Sequence, residues 1–150
     1  MAHEIFISYR REDTRHAALA LEAQLCRVFG DGAVFLDQKW IMAGEDWRES
    51  LHRALAGTRV VLALIGPKWL RAADEWGRRR LDDRSDWVRI ELATALEKGI
   101  TVIPLVLEGA LPPNGPPLPY RLPAALAQLN FTQVRVLNDN SWMDNFHGLV

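Results

Sequence analysis

The fold is decided by one run of six apolar residues, Val60-Val61-Leu62-Ala63-Leu64-Ile65. A strand with one face in solvent alternates apolar and polar residues, but this run is apolar at every position. That pattern is typical of a central strand buried on both faces of a parallel sheet. A sheet of this kind requires helices on both of its faces.

Strand-like and helix-like segments alternate on both sides of this run. Further strands are predicted at residues 4–8, 33–36, 101–106 and 132–136. Helices are predicted at residues 13–29, 47–56, 86–98 and 122–129 from their apolar spacing and capping residues. The alternation predicts an α/β protein of the flavodoxin-like kind, a doubly wound, five-stranded parallel sheet with helices on both faces.

Length and composition exclude several classes of protein. The chain has 150 residues and carries 18 Lys and Arg against 19 Asp and Glu, so no bulk charge attracts nucleic acid or an anionic membrane. The single cysteine, Cys26, excludes a disulfide framework. No signal peptide or membrane-spanning run is present, and we expect one cytoplasmic domain over residues 1–150. The helical pattern that continues to Val150 also fits the N-terminal domain of a longer protein.

Motifs for phosphate loops and metals are missing from the sequence. Gly30-Asp31-Gly32 lies between a helix and a strand, which is the reverse of the order that a dinucleotide fold requires. The four histidines are scattered and have no partners at zinc spacing. We therefore expect neither a metal site nor a resident cofactor.

The sheet itself predicts where a ligand would bind. In doubly wound parallel sheets, ligands bind at the carboxyl ends of the strands, near the switch in strand order. This edge contains Ser8, Tyr9 and Arg10, then Asp37 with its loop, and residues 66–69.

The helix predicted at residues 86–98 carries a polar residue beside its apolar stripe. Glu91 lies about 60° around the helix from Val88, on the flank of the buried face. Trp87 stands one turn before it on the same flank. The spacing leaves two interpretations open. Glu91 is either a solvated glutamate beside a tryptophan at the core's edge, or a partly desolvated carboxylate beside an indole that binds a flat ring and a sugar.

Three segments resemble the Toll/interleukin receptor (TIR) domain. Residues Ile5-Phe6-Ile7-Ser8-Tyr9-Arg10-Arg11-Glu12-Asp13 look like its first signature box. Val34-Phe35-Leu36-Asp37 and Gly44-Glu45-Asp46-Trp47 resemble its second strand and the following "BB" loop. Ser85-Asp86-Trp87-Val88-Arg89-Ile90-Glu91-Leu92 is similar to its SxWxxxEL helix, including the WxxxE motif of the enzymatic branch. The chain departs from the pattern at Ala43-Gly44, where Pro-Gly is typical, and at Val88, where Cys is common.

The resemblance implies one of two functions. The family contains NAD⁺-cleaving enzymes, in which a helix glutamate is essential, and adaptor domains that act by assembly. If this chain is an enzyme, the resemblance implies that Glu91 is catalytic and that NAD⁺ is its substrate, cleaved by hydrolysis or cyclisation in bacterial anti-phage defence. If it is an adaptor, it is a non-catalytic TIR–TIR interaction module.

The resemblance also implies the residues around the substrate and between copies of the chain. It places Ser8 and Arg10 at the nucleotide, with Tyr9 between them, and Asp37 with Trp40 or Trp47 around the ribose and the loop. Trp87 or Trp47 would stack on a flat ring. Self-association is expected through the BB loop at residues 37–46 and the helix at 86–98, with Trp40 and an exposed Ile90 as contacts.

Overall fold

The computed structural model describes residues 4–36, 47–69, 71–107, 126 and 135–137, with Trp47 and residues 135–137 described by their backbone alone. Most of the helix predicted at residues 122–129 lies outside this range; within it, Leu126 is buried.

Five strands and three helices alternate along the described chain. The strands are β1 (Ile5–Ser8), β2 (Val34–Leu36), β3 (Val60–Ile65), β4 (Thr101–Leu107) and β5 (Arg135–Leu137). The helices are α1 (Arg11–Phe29), α2 (Trp47–Leu55) and α3 (Trp87–Glu97), and a short 3₁₀ turn at Arg80–Asp82 precedes α3. The ends agree with the predicted ones to within a few residues.

The sheet has the order β2-β1-β3-β4-β5, and every neighbouring pair is parallel. The predicted fold class is confirmed, and β3 is its central strand. The chain first winds from β1 outward to β2 and then crosses to β3 on the other side of β1. This reversal places the switch in strand order at the carboxyl ends of β1 and β3, where a crevice for ligands is expected.

Alternate residues of the strands pack on opposite faces of the sheet. Phe6, Val61 and Val102 belong to a core cluster that includes α2 and α3. Ile7 and Leu62 belong to a second cluster on the other face, with α1. Because successive strand side chains point to opposite faces, the apolar runs supply both cores at once.

Helix α1 begins earlier and buries less than its sequence predicts. It starts at Arg11, but Thr14 has non-helical angles (φ −128°, ψ 23°), so a first turn is set at an angle to the rest. Gly30 ends the helix with a positive φ of 99°, as predicted. Val28 continues the helical spacing of Ala18, Leu21 and Leu25, which are buried, but Val28 itself is 49% exposed. A 19-residue helix is about 28 Å long, whereas β3 with 6 residues spans about 20 Å, so the last turn extends beyond the strands.

The first turn of α1 packs closely against the end of β3. The backbone N–H of Lys68 donates to Asp13 Oδ1 at 3.0 Å. A Cβ atom added at Gly66 would lie 2.5 Å from Thr14 Cγ2 and 2.6 Å from Asp13 Oδ2. Such distances are too short for a methyl group, so glycine is required at this position for steric reasons.

We predict that Gly66→Ala lowers the free energy of unfolding by about 1–3 kcal/mol, the usual cost of overpacking. The matched control is Gly32→Ala, because a Cβ atom at Gly32 meets nothing within 4 Å. Thermal or denaturant unfolding of the two variants measures the difference. Equal stability of the two variants would contradict the close packing of α1 on β3.

Candidate functional site

The candidate site lies where α3 begins beside the end of β1. Asp86 is the N-cap of α3, and its side chain accepts a hydrogen bond from the backbone N–H of Arg89 at 3.2 Å. This cap satisfies one of the helix's first free N–H groups. Helix α3 therefore starts at the carboxyl edge of the sheet, the edge that the sequence predicts for ligand binding.

Glu91 is buried, with 1% of its surface exposed. Its Oε1 accepts a hydrogen bond from Ser8 Oγ at 3.2 Å, which links α3 to β1 across 83 positions of sequence. The interpretation of Glu91 as a solvated helix residue is therefore wrong. Burial of a carboxyl group costs free energy unless hydrogen bonds replace those it made with water. The hydrogen bond from Ser8 therefore helps to stabilise Glu91 in its buried position.

Arg10 and Asp86 form a second buried contact between β1 and α3. Arg10 donates from Nη1 to Asp86 Oδ1 at 2.9 Å and from Nη2 to Asp86 Oδ2 at 3.0 Å. The two side chains are only 1% and 8% exposed. Arg10 follows Ser8 by two residues, so both side chains point to the same face of the sheet. The structure thus brings together Ser8, Arg10, Asp86 and Glu91.

Asp86 is the residue of this group that the sequence analysis missed as a partner. Its place just before the apolar stripe predicts only that Ser85 or Asp86 caps the helix, and the structure shows that Asp86 is the cap. A charged residue on a buried strand end, here Arg10, signals that an opposite charge must lie nearby. The sequence contains 19 acidic residues, and nothing in its local pattern selects the one 76 positions away.

The side chain of Tyr9 lies away from those of Ser8 and Arg10. It is buried in the cluster on the α1 face of the sheet, whereas Ser8 and Arg10 contact α3 on the other face. The alternation of strand side chains already separates these residues, and this signal was available in the sequence. Asp37 and Trp40 lie outside the described residues, and for Trp47 the structure describes only its place at the start of α2.

The two apolar residues of α3 near the site are half-buried. Trp87 and Ile90 both pack against the core cluster on this face. The expectation that Ile90 is exposed opposite the core is therefore wrong. The segment before α3 contributes Leu81 and Trp69 to the same cluster, and Arg89 Nη1 donates to the Leu81 carbonyl at 3.1 Å.

The segment between β3 and α3 carries its own polar contacts. The backbone N–H of Arg78 donates to the Asp74 carboxylate and lowers the pKa of that group below its ordinary value. The side chain of Arg79 likewise lowers the pKa of Asp82 by donating two hydrogen bonds to it. Both pairs are exposed and local, and such pairs contribute little to stability.

The described part of the chain lacks two further features, a membrane-spanning helix and a cluster of metal-binding side chains. Across those residues, no helix combines the length and the apolar character needed to cross a membrane. Nor do three or more His, Cys, Asp or Glu side chains group there in a way that could hold a metal ion.

Comparison with known proteins gave a family and a distant structural likeness. A family model described as "TIR domain" matches residues 5–150. Among solved structures, the one described as "Structure of the activated Roq1 resistosome directly recognizing the pathogen effector XopQ (TIR domains)" is 20% identical, with a TM-score of 0.46. The match covers 71% of this chain and 58% of that chain. The matched part of this chain thus spans little more than half the length of that one.

We predict that Ser8→Ala lowers the free energy of unfolding by about 1–3 kcal/mol, because the buried Glu91 carboxylate loses a donor. Ser50→Ala is the control, since Ser50 on α2 accepts a long hydrogen bond of 3.5 Å from the exposed side chain of Arg53. That change should stay within about 0.5 kcal/mol. Chemical denaturation of both variants measures the effect, and an equally small loss in Ser8→Ala would show that the Ser8–Glu91 contact contributes nothing.

Proposed function

The chain belongs to the TIR domain family, whose model covers residues 5–150, and on that premise we propose that it cleaves the nicotinamide–ribose bond of NAD⁺. The reaction is that of a glycohydrolase or an ADP-ribosyl cyclase, and Glu91 is its catalytic residue. The observation that carries the proposal is the position of Glu91. A carboxylate buried at the ligand-binding edge of the sheet is costly to the fold, and such costs are concentrated at functional sites.

The chemistry needs a negative charge beside the ribose. The nicotinamide of NAD⁺ is already cationic and leaves as a neutral base, so little acid catalysis is required. As the C–N bond breaks, positive oxocarbenium character develops on the ribose, and a fixed carboxylate stabilises it. Such stabilisation is stronger in a site of low dielectric than in water. Water attack on the ribose gives ADP-ribose, and attack by an adenine nitrogen gives a cyclic ADP-ribose.

The surrounding residues have supporting roles in this proposal. Ser8 donates to Glu91 and orients its carboxylate. Trp87, half-buried one turn before Glu91, flanks the site with an indole face. Asp37 and either Trp40 or Trp47 contact the ribose and complete the pocket from the loop side. Tyr9 has no role, because it packs on the opposite face of the sheet.

Self-assembly activates the enzyme in this proposal. With 1% of its surface exposed, Glu91 cannot touch a ribose unless neighbouring groups move. Strand β2 ends at Leu36, level with Ile7 of β1, so the chain enters residues 37–46 at the same edge as Ser8. Contacts between copies through this loop and α3 would therefore act next to the site. We assign the domain to bacterial anti-phage defence, in which loss of NAD⁺ stops the infected cell.

We predict that Glu91→Gln reduces nicotinamide release from NAD⁺ by at least about 100-fold, because the neutral amide removes the charge but keeps the shape. The matched control is Glu97→Gln, which removes an exposed carboxylate from the same helix. Release is measured at high protein concentration, with melting curves to show that both variants fold. Equal rates for Glu91→Gln and the unchanged protein would rule out the catalytic role.

We predict that specific activity rises with protein concentration, because assembly exposes the site. Trp40→Ala in the loop should reduce both light scattering and activity. Trp76→Ala is the control, since Trp76 is 76% exposed and lies outside the loop and α3. If the protein assembles but Glu91→Gln changes nothing, the alternative holds and the domain is a non-catalytic TIR–TIR interaction module. Unchanged scattering of Trp40→Ala would contradict the role of the loop.

A further inference from the structure

Arg10 and Asp86 have an arrangement that the proposed reaction does not by itself require. Both oxygens of the Asp86 carboxylate accept from the Arg10 guanidinium, and Oδ2 also accepts from the backbone N–H of Arg89. One carboxylate therefore holds the end of β1 and the first turn of α3 at the same time. Fork-to-fork contacts of this kind fix direction as well as distance.

The two contacts that join β1 and α3 have matching spacings on the two elements. Arg10 follows Ser8, the last residue of β1, by two residues and has extended backbone angles, so the two are about 6.6 Å apart along the chain. Glu91 follows Asp86, the N-cap of α3, by five residues, which is about 7.5 Å along the helix axis. The pairs Ser8–Glu91 and Arg10–Asp86 therefore join matching lengths of two elements that run in opposite directions. Two such contacts fix both the position of α3 along β1 and the rotation of α3 about its own axis.

We propose that the Arg10–Asp86 ion pair is a positioning device for Glu91: it fixes α3 against β1 so that the Glu91 carboxylate lies at Ser8. The inference rests on the proposed NAD⁺ cleavage for its kinetic consequence and assigns Arg10 and Asp86 as positioning residues. In this arrangement Arg10 is 1% exposed and its charge is matched by Asp86, so it does not bind the diphosphate of the substrate.

The kinetic test uses Asp86→Asn, which keeps the N-cap and loses the charge. We expect kcat to fall about 10- to 100-fold while KM stays within about twofold. A displaced Glu91 stabilises the transition state less well but does not change how tightly the substrate binds. The matched control is Asp82→Asn, which breaks the exposed ion pair of Asp82 with Arg79 and should leave kcat unchanged. An unchanged kcat in Asp86→Asn would overturn the proposal.

Substitution of Arg10 separates positioning from direct binding of substrate. Arg10→Gln should lower kcat like Asp86→Asn, and the double variant should be no worse than the poorer single variant, since the two residues act as a unit. A higher KM in Arg10→Gln alone, or losses that multiply in the double variant, would show that Arg10 binds the substrate itself. Arg10→Lys keeps the buried charge, so it folds if the neutral variants do not, and its kcat should be intermediate.

A measurement that does not depend on catalytic activity tests this inference separately from the proposed function. The carboxyl carbon signal of Glu91, identified by its loss in Glu91→Gln, can be followed by NMR in the full chain. It should move in Asp86→Asn and stay in place in Asp82→Asn. If the unchanged protein releases no nicotinamide but the signal moves, the proposed function fails and the positioning role stands. If the signal does not move in Asp86→Asn, the positioning role fails whatever the activity.

Discussion

Charge buried between a strand and a helix is the constraint on which the rest of this site depends. Arg10 and Glu91 are each 1% exposed, and polar groups buried so deeply require partners. Asp86 supplies the counter-charge for Arg10, and Ser8 supplies a hydrogen bond for Glu91. Because these contacts are directional, they restrict how α3 can slide or rotate on β1.

The segment between β3 and α3 belongs to the same core as α3. Its buried residues, among them Trp69 and Leu81, join the core cluster that includes α3, and the Leu81 carbonyl accepts from Arg89. In this arrangement Ile90 is half-buried and Glu91 is 1% exposed. The structure therefore holds Glu91 at Ser8 with almost none of its surface in solvent.

Much of the fold could be predicted from local sequence because it depends on local chemistry. The apolar run at Val60–Ile65 can be buried on both faces only inside a sheet, and the structure places it as the central strand. Gly30 ends α1 because it adopts a positive φ that other residues avoid. Val28 is the counterexample: its spacing fits the buried stripe, but the length of α1 relative to the strands leaves it exposed.

By itself, the sequence determined the parallel α/β sheet and the position of Ser8 and Arg10 at its carboxyl edge, with Tyr9 on the opposite face. These follow from periodicity and from the rule that parallel strands end together. Only the tertiary structure decided that Glu91 is buried and that Arg10 pairs with Asp86. The partners are 76 and 83 positions apart, and a helix's own spacing does not reveal which distant segment will cover its flank. Burial and charge pairing are properties of the packed chain, because they depend on which groups exclude water from one another.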